Sequence, residues 1–216
     1  MASSKNQRIL WTVLVVALVA IGIFALRDFM KSQEITQPTR ILPSLGSVPP
    51  FELVTQEGKP FSSAALKGKY WIVDLIFTHC GGTCPVLTAN MASMQKALAK
   101  AYDVELVSIS VDPNNDTPEV LADYAKRYNA DTKNWTFLTG KVQTIYTIAK
   151  DGFKLTVDSV SGDEMNPIVH SERFVLVDKT GTIRGFYDGT TNEAQSKILH
   201  DLGDLMREEK QRDERL

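Results

Sequence analysis

The pattern of apolar and polar positions divides the 216-residue chain into an opening apolar run, a polar stretch and a long region of strand-like and helix-like segments. Residues 9–26 carry no charge and are flanked by Lys5 and Arg8 before and Arg27 after. As a helix this run spans roughly 27 Å, enough for the hydrocarbon core of a bilayer. A small-x-small cleavage site is not obvious at the alanines: Ala20 has Leu18 two places before it, and Ala25 has Ile23. The run therefore reads as an uncleaved anchor in preference to a signal peptide. Its basic flanks lean towards a cytoplasmic N-terminus, residues 1–8, with the remainder exported. So short a leader leaves no room for a mitochondrial transit peptide ahead of the anchor. The expected location is a bacterial inner membrane, crossed once, with the soluble domain in the periplasm.

Residues 27–50 are polar, contain Pro38, Pro43, Pro49 and Pro50, and hold no sustained period, which predicts a tether. A small hairpin is expected over 51–54 and 59–61 around Gly58. Residues 70–77 are nearly continuously apolar, as in a central strand covered on both faces, with Asp74 as the interruption. Leu87, Met91, Met94 and Leu98 then recur at helical spacing, predicting a helix over 85–102 with Pro85 in its first turn. The methionines on this stripe read as core rather than as metal ligands. A second buried strand over 104–111 leads through a loop at 112–116 to a helix from Thr117 to about Tyr128. A strand at 135–138, a helix at 141–150 and an extended stretch at 153–157 follow. A polar loop runs through Asn166 and Pro167. Residues 173–177 and 183–187 form a hairpin turned by 178–181, and a last helix occupies about 192–209. This order predicts an α/β, thioredoxin-like fold, a central mixed sheet flanked by helices, over residues 51–206. Residues 207–216 read as a solvated charged end.

A net charge of −2 with 23% charged residues shows no basic surplus, so no nucleic-acid partner is expected. No 20–50-residue period repeats, which excludes a solenoid. The chain has two cysteines, Cys80 and Cys84, too few for a disulfide framework. They fall on the turn between the first central strand and the following helix. Free N–H groups and partial positive charge at a helix start favour thiolate over thiol. Thioredoxin-type reductases space such a pair by two residues, and here there are three. The pair can still bridge, and it can equally chelate a soft ion such as Cu(I). A closed zinc site wants four ligands, which this chain supplies only with an unusual set.

Three histidines compete for a part in that chemistry. His200, on the last helix, reads as a surface residue. His79 adjoins Cys80 on an extended segment, so its side chain is expected to face away from the sulfurs. His170 lies in the loop before a sheet strand, at the edge that faces the cysteine turn in a thioredoxin-like layout. Asp74, six residues before Cys80, is a buried carboxylate suited to moving protons during thiol exchange, with local hydrogen bonding as the plainer role. A peroxidase reading fits poorly, because the threonine expected three places before the reactive cysteine is replaced by Phe77 before Cys80 and by Gly81 before Cys84.

Four ordered blocks resemble the SCO/SenC family: Phe77-Thr78-His79-Cys80-x-x-x-Cys84-Pro85, Ser108-Ile109-Ser110-Val111-Asp112-Pro113 with Asp116-Thr117-Pro118-Glu119, Trp135-x-Phe137-Leu138-x-Gly140, and His170-Ser171 ahead of Phe174-x-Leu176-Val177-Asp178-x-x-Gly181. The resemblance covers nearly all of the chain after the tether. It implies a membrane-anchored copper protein that assists assembly of cytochrome c oxidase. One copper ion per chain, Cu(I) or Cu(II), would be bound by Cys80, Cys84 and His170. The partner implied is the copper-bearing subunit of that oxidase or another copper protein. Many members carry Pro-Asp-Val or a similar triplet between the cysteines, where this chain has Gly81-Gly82-Thr83. Alternatives are a thiol–disulfide oxidoreductase using Cys80, Cys84 and Asp74, and a redox or copper sensor.

Overall fold

A computed structural model describes residues 3–35, 40–99, 101, 103–159 and 168–214. The expected polar loop through Asn166 and Pro167 lies outside the described residues. The chain divides into two compact units, residues 1–40 and 41–216.

The first unit is a single helix, α1 (Ser3–Ile35). Its stretch Leu10–Asp28 has a mean hydropathy of 2.4 and is long and apolar enough to cross a membrane. The helix continues beyond residue 26, so the start of the expected tether is helical. The sequence between Arg27 and Ile35 holds no glycine or proline, and several of its residues are good helix formers.

The second unit is built on a seven-stranded sheet. Its strands are β1 (Glu52–Thr55), β2 (Pro60–Ser62), β3 (Tyr70–Ile76), β4 (Val104–Ser110), β5 (Trp135–Thr139), β8 (Arg173–Val177) and β9 (Ile183–Asp188), in the spatial order β2-β1-β5-β4-β3-β8-β9. β3, β4 and β5 are parallel, and the remaining neighbours pair antiparallel. This is the thioredoxin-like mixed sheet the pattern predicts. Every residue of β3 is buried, as its unbroken apolar run requires.

Helices α2 (Cys84–Ala97), α3 (Pro118–Arg127) and α5 (Asn192–Asp213) pack on β3, β5 and β9 respectively. Leu87, Met91 and Met94 of α2 are fully buried, so the methionine stripe is core. α2 stops short of the expected residue 102. α4 (Val142–Thr147) widens into a π-type turn at Ile148–Gly152. A separate two-stranded ladder pairs β6 (Val157–Ser159) with β7 (Ile168–His170) antiparallel.

Two ends of the chain depart from expectation. Residues 41–50 belong to the folded unit rather than to a tether. Leu42 is buried, Leu45 N donates to Ile183 O at 2.9 Å, and Val48 N donates to Gly181 O at 2.9 Å. This pairing covers the start of β9's outer edge, at residues 181–183, where unpaired strand groups would invite another chain. It has no helical or strand period, which is why the prolines alone suggested a linker.

The C-terminal charges are also not all solvated. Glu209 accepts from Tyr70 Oη at 2.6 Å and pairs with Lys179 Nζ at 2.8 Å. Arg184 joins all three parts. Its guanidinium pairs with Asp178 at 2.9 Å and Glu208 of α5 at 3.1 Å, and donates to Leu42 O and Pro43 O at 2.7 and 3.1 Å. Burial opposes the charge on Asp178, yet hydrogen bonds from Thr180, Arg184 and Thr182 hold its pKa below the usual value. Between β8 and β9, Gly181 takes φ +85°, a left-handed conformation that favours glycine. Replacing Arg184 by methionine removes the cation that pairs with two acids and the donor to two carbonyls. It should lower stability by roughly 3 kcal/mol, read from the midpoint of chemical denaturation.

Candidate metal centre

The site grows from the end of β3. After Ile76 the chain leaves the sheet, turns through residues 77–83 and enters α2 at Cys84. Helical hydrogen bonding starts at Thr83, whose carbonyl accepts from Val86 N at 2.9 Å and Leu87 N at 3.0 Å. Pro85 sits in the first turn, where its missing N–H costs nothing. Cys84 is thus the first helical residue and is fully buried, while Cys80 on the turn is half-buried. The Gly82 amide donates to Cys80 Sγ at 3.4 Å, and neither cysteine is in a disulfide.

His170 reaches the pair from the end of β7, opposite Val157 of β6, and so stands on a strand rather than in the expected loop. Its Nδ1 lies 3.1 Å from Ser171 O, a partner that only accepts, so Nδ1 carries the proton. Nε2 is left as an acceptor 3.1 Å from Cys84 Sγ. Phe77 meets the imidazole edge-on, with ring centroids 5.5 Å apart, and fixes its tilt. The segment that follows His170 is held by Gly189, in the turn after β9, which lies close against α2. That residue donates to Glu172 O at 2.8 Å, and a Cβ there would fall 2.3 Å from Leu87 Cδ2.

Cys80 Sγ, Cys84 Sγ and a His170 ring nitrogen all lie within 4.8 Å of one another. Two thiol sulfurs and an imidazole are a donor set that suits copper. Burial pushes the Cys84 thiol well above its ordinary pKa, and a backbone hydrogen bond from Phe77 only partly offsets this. The helix start therefore does not make Cys84 a thiolate, contrary to expectation: desolvation outweighs the helix-end field. Burial lowers the pKa of His170, keeping it neutral near pH 7 and able to coordinate. Without an ion, Cys84 S–H donates to His170 Nε2.

The other singled-out residues fall as follows. Asp74 is fully buried in β3, and burial pushes its pKa up to about 7. Ser108, its cross-strand neighbour, and the Asp74 amide pull the other way, but neither carboxylate oxygen has a well-aligned hydrogen bond. His79 is exposed and stands outside the Cys80–Cys84–His170 group, with Nδ1 3.1 Å from Thr78 Oγ1. His200 is a surface residue whose Nδ1 lies 3.7 and 3.5 Å from Asp201 and Asp204. Those two carboxylates are already charge-balanced by Lys197 and Arg207.

One residue that no period marks is Asp116, fully buried in the loop before α3. It accepts from Thr78 N at 3.0 Å, Thr78 Oγ1 at 2.5 Å and Ser110 Oγ at 2.6 Å, tying the cysteine turn to the end of β4. Its place between the predicted loop and the Thr117 helix cap was the available signal. Thr88 and Tyr124 were likewise unmarked. Thr88 donates to Cys84 O at 2.9 Å and lies 2.8 Å from Tyr124 Oη, fixing the first turn of α2 to α3.

The SCO1/SenC family model matches residues 43–207. This chain belongs to the SCO1/SenC family. Among its relatives, the SCO1 protein homolog of Bacillus subtilis is 39% identical over 157 residues, covering 72% of this chain and 80% of that protein. A Stutzerimonas stutzeri protein, named as a candidate copper-binding protein, is 31% identical over 67% of this chain and 71% of its own length. The crystal structure of a SCO1/SenC family lipoprotein from Bacillus anthracis superposes with a TM-score of 0.71 at 36% identity, covering 77% of this chain and 99% of that one. BsSco, described with a disulfide switch and as a member of a family of cytochrome c oxidase assembly proteins, superposes at 0.68 with 36% identity, over 76% of this chain and 97% of that one.

Asp74 makes SCO1/SenC stability in this chain depend on pH. Its folded pKa is raised, so between about pH 4 and 7 the folded protein keeps a proton that the unfolded chain has released. Stability should therefore fall as pH rises through that window. Asp74→Asn should flatten this dependence and add roughly 2–4 kcal/mol at pH 8, measured by denaturation across pH.

Proposed function

We propose that this SCO1/SenC protein is a membrane-anchored copper carrier that delivers its ion to a copper centre of cytochrome c oxidase. The observation that carries the reading is the convergence of Cys80, Cys84 and His170 from two distant parts of the chain. Copper is the cargo. Cys84 gives up its proton as the ion takes the proton's place, so binding strengthens as pH rises. Cys80, nearer solvent, meets an incoming or departing ion first. His170 supplies the neutral imidazole that Cu(II) in particular requires alongside thiolate.

The copper-binding name of the Stutzerimonas stutzeri relative and the assembly role printed for BsSco support this assignment. The apolar stretch Leu10–Asp28 supports a single-pass anchor, with the folded unit held on the periplasmic side of a bacterial inner membrane. The acceptor on this reading is the oxidase's copper-bearing subunit or another copper protein. His170→Ala should weaken Cu(II) binding by more than about tenfold, the low end for losing even an outer partner of a metal site, and should change its optical and paramagnetic spectra. An unchanged spectrum excludes the three-ligand centre.

A second reading is supported by the same unbridged pair. As a reductase, Cys80 thiolate would attack an acceptor disulfide, and Cys84 would then resolve the mixed disulfide. The acceptor leaves as a dithiol, and Cys80–Cys84 as the new disulfide. His170 Nε2, 3.1 Å away, is placed to take the Cys84 proton, and Asp74, whose charge acts on Cys84, is a buried acid near neutrality. On this reading Asp74→Asn slows exchange with a disulfide substrate by roughly tenfold or more while leaving copper affinity nearly unchanged. Stopped-flow rates equal to wild type would set it aside.

A further inference from the structure

The last helix carries a second group of ligand-type side chains, remote in sequence from the cysteine turn and unused by the copper reading. His200 and Asp204 stand four residues apart on α5, one above the other on the same face. His200 Nδ1 lies 3.5 Å from Asp204 Oδ2 and 3.7 Å from Asp201 Oδ1. One atom from each of the three residues falls within 4.8 Å of the other two. These separations exceed the roughly 2.7–3.2 Å of a nitrogen–oxygen hydrogen bond. An ion bonded to nitrogen and oxygen at tetrahedral angles holds its ligands about 3.3–3.6 Å apart. The spacing at His200 is that of a shared ion.

Both carboxylates are buried, and each is held on one oxygen only by the printed contacts. Tyr187 Oη and Lys197 Nζ reach Asp201 Oδ2 at 2.8 and 2.9 Å, and Arg207 pairs with Asp204 Oδ1. The other oxygen of each acid is the one nearer His200. Asp204 Oδ2 is shielded from water, and among the described residues no hydrogen bond reaches it. Buried acceptors in folded proteins nearly always find a partner, so this oxygen calls for one. Outer donors that fix a carboxylate and leave one oxygen bare are the support a metal ligand has. Lys197 and Arg207 balance the acids, but both side chains are half-exposed and can turn into water when a dication arrives.

The geometry points to a second metal site, formed by His200 Nδ1, Asp204 Oδ2 and Asp201 Oδ1, for a divalent first-row ion of the zinc type. One imidazole and two carboxylates suit Zn(II) and its divalent neighbours, and not Cu(I), which takes thiolate. Three protein ligands leave a position for water. His200 is mostly exposed and covers the buried oxygen, so the ion enters and leaves from the surface as the ring swings. Binding involves no electron or group transfer. None of these residues belongs to the Cys80–Cys84–His170 group, so the site stands whether or not that group carries copper.

The test uses the full chain in detergent, with Cys80 and Cys84 either joined as a disulfide by a mild oxidant or both replaced by serine. Their thiolates then do not compete for the probe, which is Zn(II) alone. Calorimetry should find one ion per chain, and zinc should raise the thermal midpoint because it binds the folded state. His200→Ala, at an exposed position, should weaken zinc binding by more than about tenfold, the least expected when even an outer partner of a metal site is lost. Asp204→Asn should weaken it as much, and nitrogen-15 NMR should place the zinc on Nδ1 of His200. No uptake at millimolar zinc overturns the proposal. Uptake that His200→Ala leaves unchanged overturns it as well, by putting the ion elsewhere. A loss confined to His200→Ala reduces the site to a lone surface histidine and sinks it too. If Asp204→Asn does not fold, the ring nitrogen decides: Nδ1 supports the site, and Nε2 overturns it.

Discussion

The buried carboxylate of Asp116 is the constraint on which the cysteine turn depends. Two of its three hydrogen bonds go to Thr78 and one to Ser110, so a loop with little core of its own is fastened to the end of β4. A backbone amide and two hydroxyls left unpaired in that place would each cost about 1–3 kcal/mol. The parallel strands β3 and β4 supply the frame, because their registered ends place the turn after β3 and the loop after β4 side by side. The position of Cys80 follows from this fastening, and the position of Cys84 from the first turn of α2.

Burial then decides the chemistry of each group. At Cys84 two effects oppose one another: a helix start that favours negative charge, and an apolar surrounding that disfavours it. The second wins, and the thiol stays protonated until something replaces the proton. His170 experiences the same apolar surrounding with the opposite outcome for coordination, since loss of charge frees an imidazole lone pair. The same site thus holds a thiol and an imidazole that share a hydrogen across 3.1 Å.

Much of this was legible in the chain because it rests on short-range pattern. The apolar run of β3, the helical stripe of α2 and the Thr117-Pro118 helix start each follow from the local period of one element. Cys80 and Cys84 stood out as the sole thiols. His170 was not locatable by period alone, because the cysteine turn it meets is remote in sequence; the thioredoxin-like layout put it at the facing edge, and the resemblance gave it a ligand's part. Residues 41–50 were misread because edge pairing needs backbone groups rather than an apolar rhythm. Asp116 was hidden for a different reason: a polar residue in a polar loop carries no sign that it turns inward. The C-terminal acids were taken as solvated for want of any local hint that Arg184, Lys179 and Tyr70 meet them.

Cys84 and His170 are 86 residues apart in sequence yet 3.1 Å apart at their side-chain tips. Closing a loop of that length in a flexible chain costs on the order of 4 kcal/mol of entropy. Any ion shared by these two side chains is therefore a removable cross-link, joining the start of α2 to the β6–β7 ladder. On the copper reading, occupancy would stiffen the ladder and release would return its freedom, so that the looseness of β6–β7 would report whether the protein is loaded.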